Sequence, residues 1–304
     1  MRDSFSKDSF GEFTIKGYKW YKDSIPKAIV VISHGMAETI ERYDDFAETL
    51  VRNDLFVYGH SHRGHGLTAG NLANLGIIGD NGWMKMKEDL RRVLESAKMD
   101  YPNVPVVLLG HSMGSFLVRD YLLDYSYQID AVILSGTGFQ PKSVLALGKL
   151  IAGIESKILG ARHRSKLLDK MSFGSYNKSI KDPKTAFDWL SRDDEKVKAY
   201  VEDPYCGKVH TSGFYYELFE NLIRIFHHPE VSNEKSKLPM LLMSGDMDPV
   251  GDYGKGVIKS EKIYKQNGFM TTLKLYPEGR HEMLNEINRS EVYQDIMDWV
   301  LSVV

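Results

Sequence analysis

The stretch Val104–Leu123, VPVVLLGHSMGSFLVRDYLL, reads as a strand, a sharp turn and a helix. Its first half is a continuous aliphatic run, the pattern of a strand buried on both faces of a parallel sheet. Gly110, His111, Ser112, Met113 and Gly114 in its middle fit G-x-S-x-G. Such a turn lifts the serine Oγ above the sheet, and small residues at both ends let strand and helix approach closely. Gly110, Gly114 and Ser115 meet that steric need. The backbone N–H of Met113, at the start of the helix, is aimed at any oxyanion that develops beside the serine.

Working outward, similar runs recur at KAIVVISHG (27–35), LFVYGH (55–60), IDAVILSG (129–136), LPMLLMSG (238–245) and TTLKLYP (271–277). Most are separated by segments with helical spacing such as WMKMKEDLRRVLESAKM (83–99), so the chain reads as an α/β fold. Ahead of them FTIKGYKWY (13–21) alternates and breaks at Gly17, which predicts an antiparallel hairpin turning there. At the other end SEVYQDIMDWVLSVV (290–304) predicts a closing helix, with Val292, Ile296, Val300 and Val303 on one face and Ser290 as N-cap.

The alternation lapses over 139–237, which reads as a helical insertion between a core of 1–138 and 238–304. Leu147, Leu150, Ile151, Ile154 and Ile158 form one stripe, and SGFYYELFENLIRIF (212–226) is rich in aromatic residues. Such stripes either pack the insert onto the sheet or line an apolar pocket that admits lipid.

A serine hydroxyl needs a histidine to remove its proton and an acid to fix that histidine's tautomer. LLMSGDMDPVG (241–251) and the residue after it offer Asp246, Asp248 and Asp252, and YPEGRHEMLNE (276–286) offers His281. Each stands just past a strand's carboxyl end, where such sheets bind ligands. The order Ser, Asp, His is that of the hydrolases built on this elbow.

The segment GHSHRGHG (59–66) raises a competing chemistry, a metal site built on His60, His62 and His65. An H-x-H-x-D-H site wants an aspartate where this chain has Gly64, and the further downstream ligands have no match. No metal and no cofactor is therefore expected. Cys206 is the sole cysteine, which excludes an intramolecular disulfide and a cysteine-rich metal site. A formal charge of -2 with both signs interspersed offers no broad field for nucleic acid and no strong pull toward a membrane. The start lacks the apolar run of a signal peptide, so a cytoplasmic setting is expected.

The chain resembles the α/β-hydrolase family, in its monoacylglycerol lipase and lysophospholipase branch. The resemblance runs through SHGMAETIERYDDFAETL (33–50), GHSHRGHGLTAG (59–70), DYPNVPVVLLGHSMGS (100–115), FDWLSRDDEKVKAYVEDPYCG (187–207), MSGDMDPVG (243–251) and EGRHEMLNE (278–286). It implies a mostly parallel eight-stranded sheet with helices on both faces and a helical cap after the sixth strand. It further implies Ser112 as nucleophile, Asp248 as acid with Asp246 as the secondary candidate, His281 as base, and the N–H groups of Met36 and Met113 as oxyanion donors. The histidine-rich loop becomes a hydrogen-bonding support beside the site. Glu38 and Arg42 match positions that face the head group, although an i,i+4 ion pair explains them equally well. Two positions depart from the pattern: Ser61 stands where the family often has aspartate, and Leu284 where the animal lipases carry a second histidine that helps hold glycerol.

The function implied is a cofactor-independent serine hydrolase of esters with a single acyl chain, lysophospholipid or monoacylglycerol, working through an acyl-enzyme. Its partner is that small molecule, with at most transient membrane-surface contact through the cap. A serine peptidase of the iminopeptidase type and a non-catalytic binding protein are the rivals. The first would want a paired acidic cluster for an amine. The second would show a broken triad.

Overall fold

The computed structural model describes residues 1–227 and 237–304. In chain order the elements are β1 (Arg2–Ser9), β2 (Phe13–Trp20), β3 (Ala28–Ser33), α1 (Asp44–Arg52), β4 (Leu55–His60), α2 (Gly82–Asp100), β5 (Val106–His111), α3 (Met113–Tyr125) and β6 (Ala131–Ser135). Four helices follow, α4 (Lys142–Leu159), α5 (Lys166–Phe173), α6 (Asp194–Glu202) and α7 (Ser212–His227). The chain then returns to the sheet through β7 (Pro239–Gly245), α8 (Lys255–Gln266), β8 (Met270–Tyr276) and α9 (Arg289–Val303).

The eight strands form one sheet in the order β1-β2-β4-β3-β5-β6-β7-β8. From β4 to β8 every pairing is parallel, and β1 and β2 add an antiparallel edge. Because side chains alternate across a strand, the aliphatic runs feed two cores. Ile29, Val31, Val106 and Leu108 pack with Leu90 and Val93 of α2 and Leu117 of α3. Val30, Ile32, Val107 and Leu109 pack with Phe46 and Leu50 of α1 and with Val292, Ile296 and Val300 of α9. No helix among the described residues is long and apolar enough to cross a membrane.

Three local expectations are corrected. The hairpin turns at Phe10–Glu12, where Phe10 and Gly11 take φ of 51° and 71°, and not at Gly17. Gly17 lies inside β2 opposite Phe5 and His60, and a Cβ there would come within 2.4 Å of the Gly59 carbonyl oxygen. Its glycine serves close approach across the sheet rather than a turn. The closing helix begins at Arg289 with Asn288 at its cap, whose side-chain amide donates to Glu291 at 3.0 Å; Ser290 is already helical.

The third concerns α4. Most of its stripe faces outward, with Leu147 53%, Leu150 60%, Ile154 50% and Ile158 73% exposed, and only Ile151 packs against the first core. The buried face carries Leu145, Gly148 and Ala152 instead. A Cβ on Gly148 would sit 2.8 Å from the Phe219 ring of α7, so the small residues set the rotation of α4 by letting the two helices close on each other. The aromatic stretch behaves as expected, for Phe214, Tyr215, Leu218, Leu222 and Phe226 of α7 join the first core. The predicted insertion carries four α-helices and no strand among its described residues, and 228–236 of it lie outside them.

Replacing Gly17 with alanine is expected to cost about 1–3 kcal/mol by overpacking against rigid backbone. Urea unfolding checks it, since a glycine at a hairpin turn would give no such clash.

Candidate active site

At the end of β5 the backbone turns through Ser112 with φ 51° and ψ -122°, a conformation a side chain rarely adopts. Crowding explains it. A Cβ on Gly110 would lie 2.5 Å from the Gly114 carbonyl oxygen, and one on Gly114 would lie 2.0 Å from that of Ser33. The Ser112 N–H donates to Ser135 of β6 at 2.9 Å, while the Ser112 carbonyl accepts from Ser115 N at 2.9 Å. Met113 opens α3, so its N–H has no helical acceptor.

Past β7 and β8, Asp248 Oδ2 and His281 Nδ1 meet at 2.9 Å, both side chains buried. Asp248 also accepts from Ser244 Oγ at 2.9 Å and from Val250 N at 2.9 Å. Burial works to raise its pKa, but His281 and these donors hold its carboxyl below the usual range. For His281 burial works to lower the pKa, and the Asp248 carboxylate outweighs it, so the imidazole stands above its ordinary value. Asp246 has no such contact: its N–H donates to Tyr276 O at 3.1 Å. Asp252 is exposed, with a φ of 48°.

The remaining histidines behave differently. Burial with no carboxylate partner holds His34 and His65 at about 3 and His60 at about 4, so all are neutral at pH 7. A neutral ring has one donor and one acceptor nitrogen. His34 uses both: Nδ1 lies 2.8 Å from Gly35 O, and Nε2 accepts from His62 N at 2.9 Å. His62 Nε2 lies 3.1 Å from Ser33 Oγ, and His65 Nδ1 lies 2.9 Å from Arg63 O. A trans peptide points its C=O and N–H in opposite directions. With Gly35 O held by His34, the Met36 N–H therefore points the other way. The histidine-rich loop thus braces backbone. No group of three side chains among the described residues is arranged to hold a metal.

Glu38 and Arg42 form the i,i+4 pair at 2.8 Å. Arg42 also makes a two-pronged contact with Glu282 at 2.5 and 2.6 Å, and it is not part of any cavity wall that holds Ser112. Leu284 is buried in the second core and lines neither cavity that holds Ser112, and Ser61 is buried with its hydroxyl unpartnered. Sequence reasoning missed His34 and Glu282. Both lie inside quoted motifs, SHGM and HEMLNE; an acid directly after the candidate histidine was the available signal.

Residues 24–288 match the family model described as serine aminopeptidase, S33. The chain belongs to this family. This α/β hydrolase is 29% identical to a monoacylglycerol lipase of Mycolicibacterium smegmatis over 93% of this chain and 91% of the relative. It is 28% identical to the monoglyceride lipase of Rattus norvegicus, over 92% and 84%. A thermostable carboxyl esterase from Bacillus coagulans, solved in complex with glycerol, superposes with a TM-score of 0.90 at 27% identity, covering 99% of this chain and 98% of that one. The chain is thus an enzyme, a serine hydrolase.

In the hydrolase Ser112 lies where two cavities meet. One, of about 80 Å³, is walled by Gly35, Glu38, Trp189, His281 and Glu282. The other, of about 430 Å³, is walled by side chains such as Phe116, Phe139, Leu145, Phe219 and Phe226. Met36 borders both. The segment between β6 and β7 closes over the site: Trp189 O accepts from His281 N at 3.3 Å, and Leu190 O from Glu282 N at 2.7 Å.

Since no group of three side chains among the described residues is arranged to hold a metal, prolonged chelation is expected to leave activity unchanged. His34→Ala is expected to lower kcat by about tenfold or more by loosening the Met36 peptide. Steady-state kinetics on the chelated and variant enzymes checks both.

Proposed function

We propose that this hydrolase is a serine esterase that cleaves esters with one acyl chain, monoacylglycerol or lysophospholipid. The observation that carries the proposal is the position of Ser112 where a small chamber beside His281, bordered by Glu38 and Glu282, meets a larger cavity walled by aromatic and aliphatic side chains. An acyl chain fits the second, and the alcohol or head group fits the first. The names of the similar lipases and of the glycerol-bound esterase support the same substrate class.

In the proposed reaction His281 takes the Ser112 proton as Oγ attacks the ester carbon. The Met36 and Met113 N–H groups receive the charge on the carbonyl oxygen. Collapse breaks the bond to the alcohol, which leaves with the proton from His281. Water, deprotonated by the same imidazole, then frees the acyl group as the acid and restores Ser112. Asp248 holds the imidazole in the tautomer that presents Nε2 to the serine. Residues 139–237 act as the cap. The exposed stripe on α4 is continuous with the acyl cavity through Val144 and Leu145, which suits brief contact with a lipid surface as substrate enters.

The peptidase reading has the family's description behind it. An amine would need a free acidic pair, however, and of the three carboxylates that line the chamber Glu38 and Glu282 are both engaged by Arg42, while Asp169 accepts from the Tyr215 hydroxyl at 3.3 Å. A panel of p-nitrophenyl esters of rising chain length, run beside monoacylglycerol, lysophosphatidylcholine and aminoacyl amides, tests the choice. Preferential turnover of the amides would reject the esterase reading.

Ser112→Ala is expected to cut ester turnover by roughly 10^4 to 10^6 and to abolish labelling by a fluorophosphonate. Asp248→Asn should cost about 10^4 in kcat through the wrong tautomer, against about tenfold for Asp246→Asn, measured side by side. The base must be neutral to accept a proton, and its pKa is raised. kcat should therefore fall on acidification with an apparent pKa above the reference of ~6.5. A pH–rate profile flat to pH 5 would remove His281 from the mechanism.

A further inference from the structure

We propose that Glu282 is a positioning residue: through Arg42 and Glu38 it fixes the Gly35 end of the oxyanion loop relative to the loop that carries His281. The inference rests on the serine-esterase reading and adds to it a residue with no assigned role.

The chain of contacts is short and buried. Glu282 directly follows His281, and its two oxygens receive NH1 and NH2 of Arg42 at 2.5 and 2.6 Å. The same Arg42 NH1 reaches Glu38 Oε2 at 2.8 Å. The other oxygen of Glu38 accepts the Gly35 N–H and, at 2.9 Å, the Tyr43 hydroxyl. Asn285 Nδ2 donates to Glu282 Oε2 at 3.1 Å. Burial acts to raise the Glu282 pKa, and Arg42 overrides it and keeps the carboxyl below its ordinary range, so the group is charged. The array holds two carboxylates and one guanidinium, and the backbone and side-chain donors complete the carboxylate partners that burial demands.

The far end of the array is what makes it more than a structural ion pair. Gly35 is clamped on both sides, its N–H by Glu38 and its carbonyl by His34. The peptide that follows supplies the Met36 N–H. Gly35 is also closely packed, since a Cβ there would lie 2.7 Å from Glu38 Oε1 and 3.2 Å from Ser112 Cβ. A displacement of the Arg42 guanidinium is therefore passed to an N–H whose contribution depends on pointing where charge develops. Removing Glu282 takes the two-pronged partner from Arg42, leaves Glu38 as its sole carboxylate, and frees that pair to swing.

Glu282→Gln and Glu282→Ala in the full chain test this, with a p-nitrophenyl ester as substrate and a trifluoromethyl ketone of matched chain length as inhibitor. The ketone forms a hemiketal with the serine, so its affinity reports the oxyanion donors. kcat should fall about tenfold for the glutamine variant and about 30- to 100-fold for the alanine variant, with KM within about twofold. Ketone affinity should weaken in proportion to kcat/KM. Adding Glu38→Gln should cost less than about threefold more, because both changes act on the same peptide. If the alanine variant does not fold, the nearly isosteric glutamine variant carries the test. A raised KM at constant kcat would make Glu282 a head-group contact and overturn the proposal. Unchanged ketone affinity in a slowed enzyme, or fully multiplicative losses with Glu38→Gln, would overturn it too. Fluorophosphonate labelling separates the two levels. An unlabelled wild type rejects Ser112 as nucleophile, whereas a labelled wild type with unaffected Glu282 variants rejects only the role of Glu282.

Discussion

The site depends first on the near-contact of three backbone segments around Gly114. With a Cβ on Gly114 only 2.0 Å from the Ser33 carbonyl oxygen, the end of β3, the end of β5 and the start of α3 meet at a point that admits no side chain. This crowding drives Ser112 to φ 51°, at a cost of order 1–3 kcal/mol that the surrounding cores offset. Gly35 and Met36 follow Ser33 by two and three positions, so the same contact that strains the serine also delivers the Gly35–Met36 loop beside it. Hydrogen bonds to Glu38 and His34 then remove the loop's remaining freedom.

A second principle sets His281 apart from the other imidazoles. The chain has ten histidines, several of them within a short distance of the serine. Desolvation alone drives an imidazole toward the neutral form, and this is what His34, His60, His65 and His111 experience. His281 is equally buried yet moves in the opposite direction, because it alone of these faces a carboxylate at 2.9 Å. Low dielectric strengthens the pair, so the environment separates supporting rings from the one that can carry a proton through a reaction cycle.

The segment between β6 and β7 shows how packing overrides pattern. The most regular apolar stripe in the chain, on α4, is mostly turned to solvent, and a face bearing Gly148 and Ala152 is turned inward. Small residues win the interface because they allow α4 to lie close against α7, gaining dispersion contacts that a row of leucines would hold apart. The large side chains of α7 fill the core and border the apolar cavity in their place.

The sequence by itself determined the α/β class, the six parallel strands and the elbow, because continuous aliphatic runs and a G-x-S-x-G turn act through local sterics that any fold must obey. It also carried the order of Ser112, Asp248 and His281, since each candidate stands directly after a recognisable strand. Only the tertiary structure decided that Asp248 rather than Asp246 meets the imidazole, that Gly17 serves sheet crowding, that most of the α4 stripe faces outward and that Arg42 turns to Glu282. Each of these is a contact between residues far apart in the chain; Arg42 and Glu282 are separated by 240 positions. A spacing pattern reports which face of an element is apolar, but the partner across a gap is set by how the elements pack.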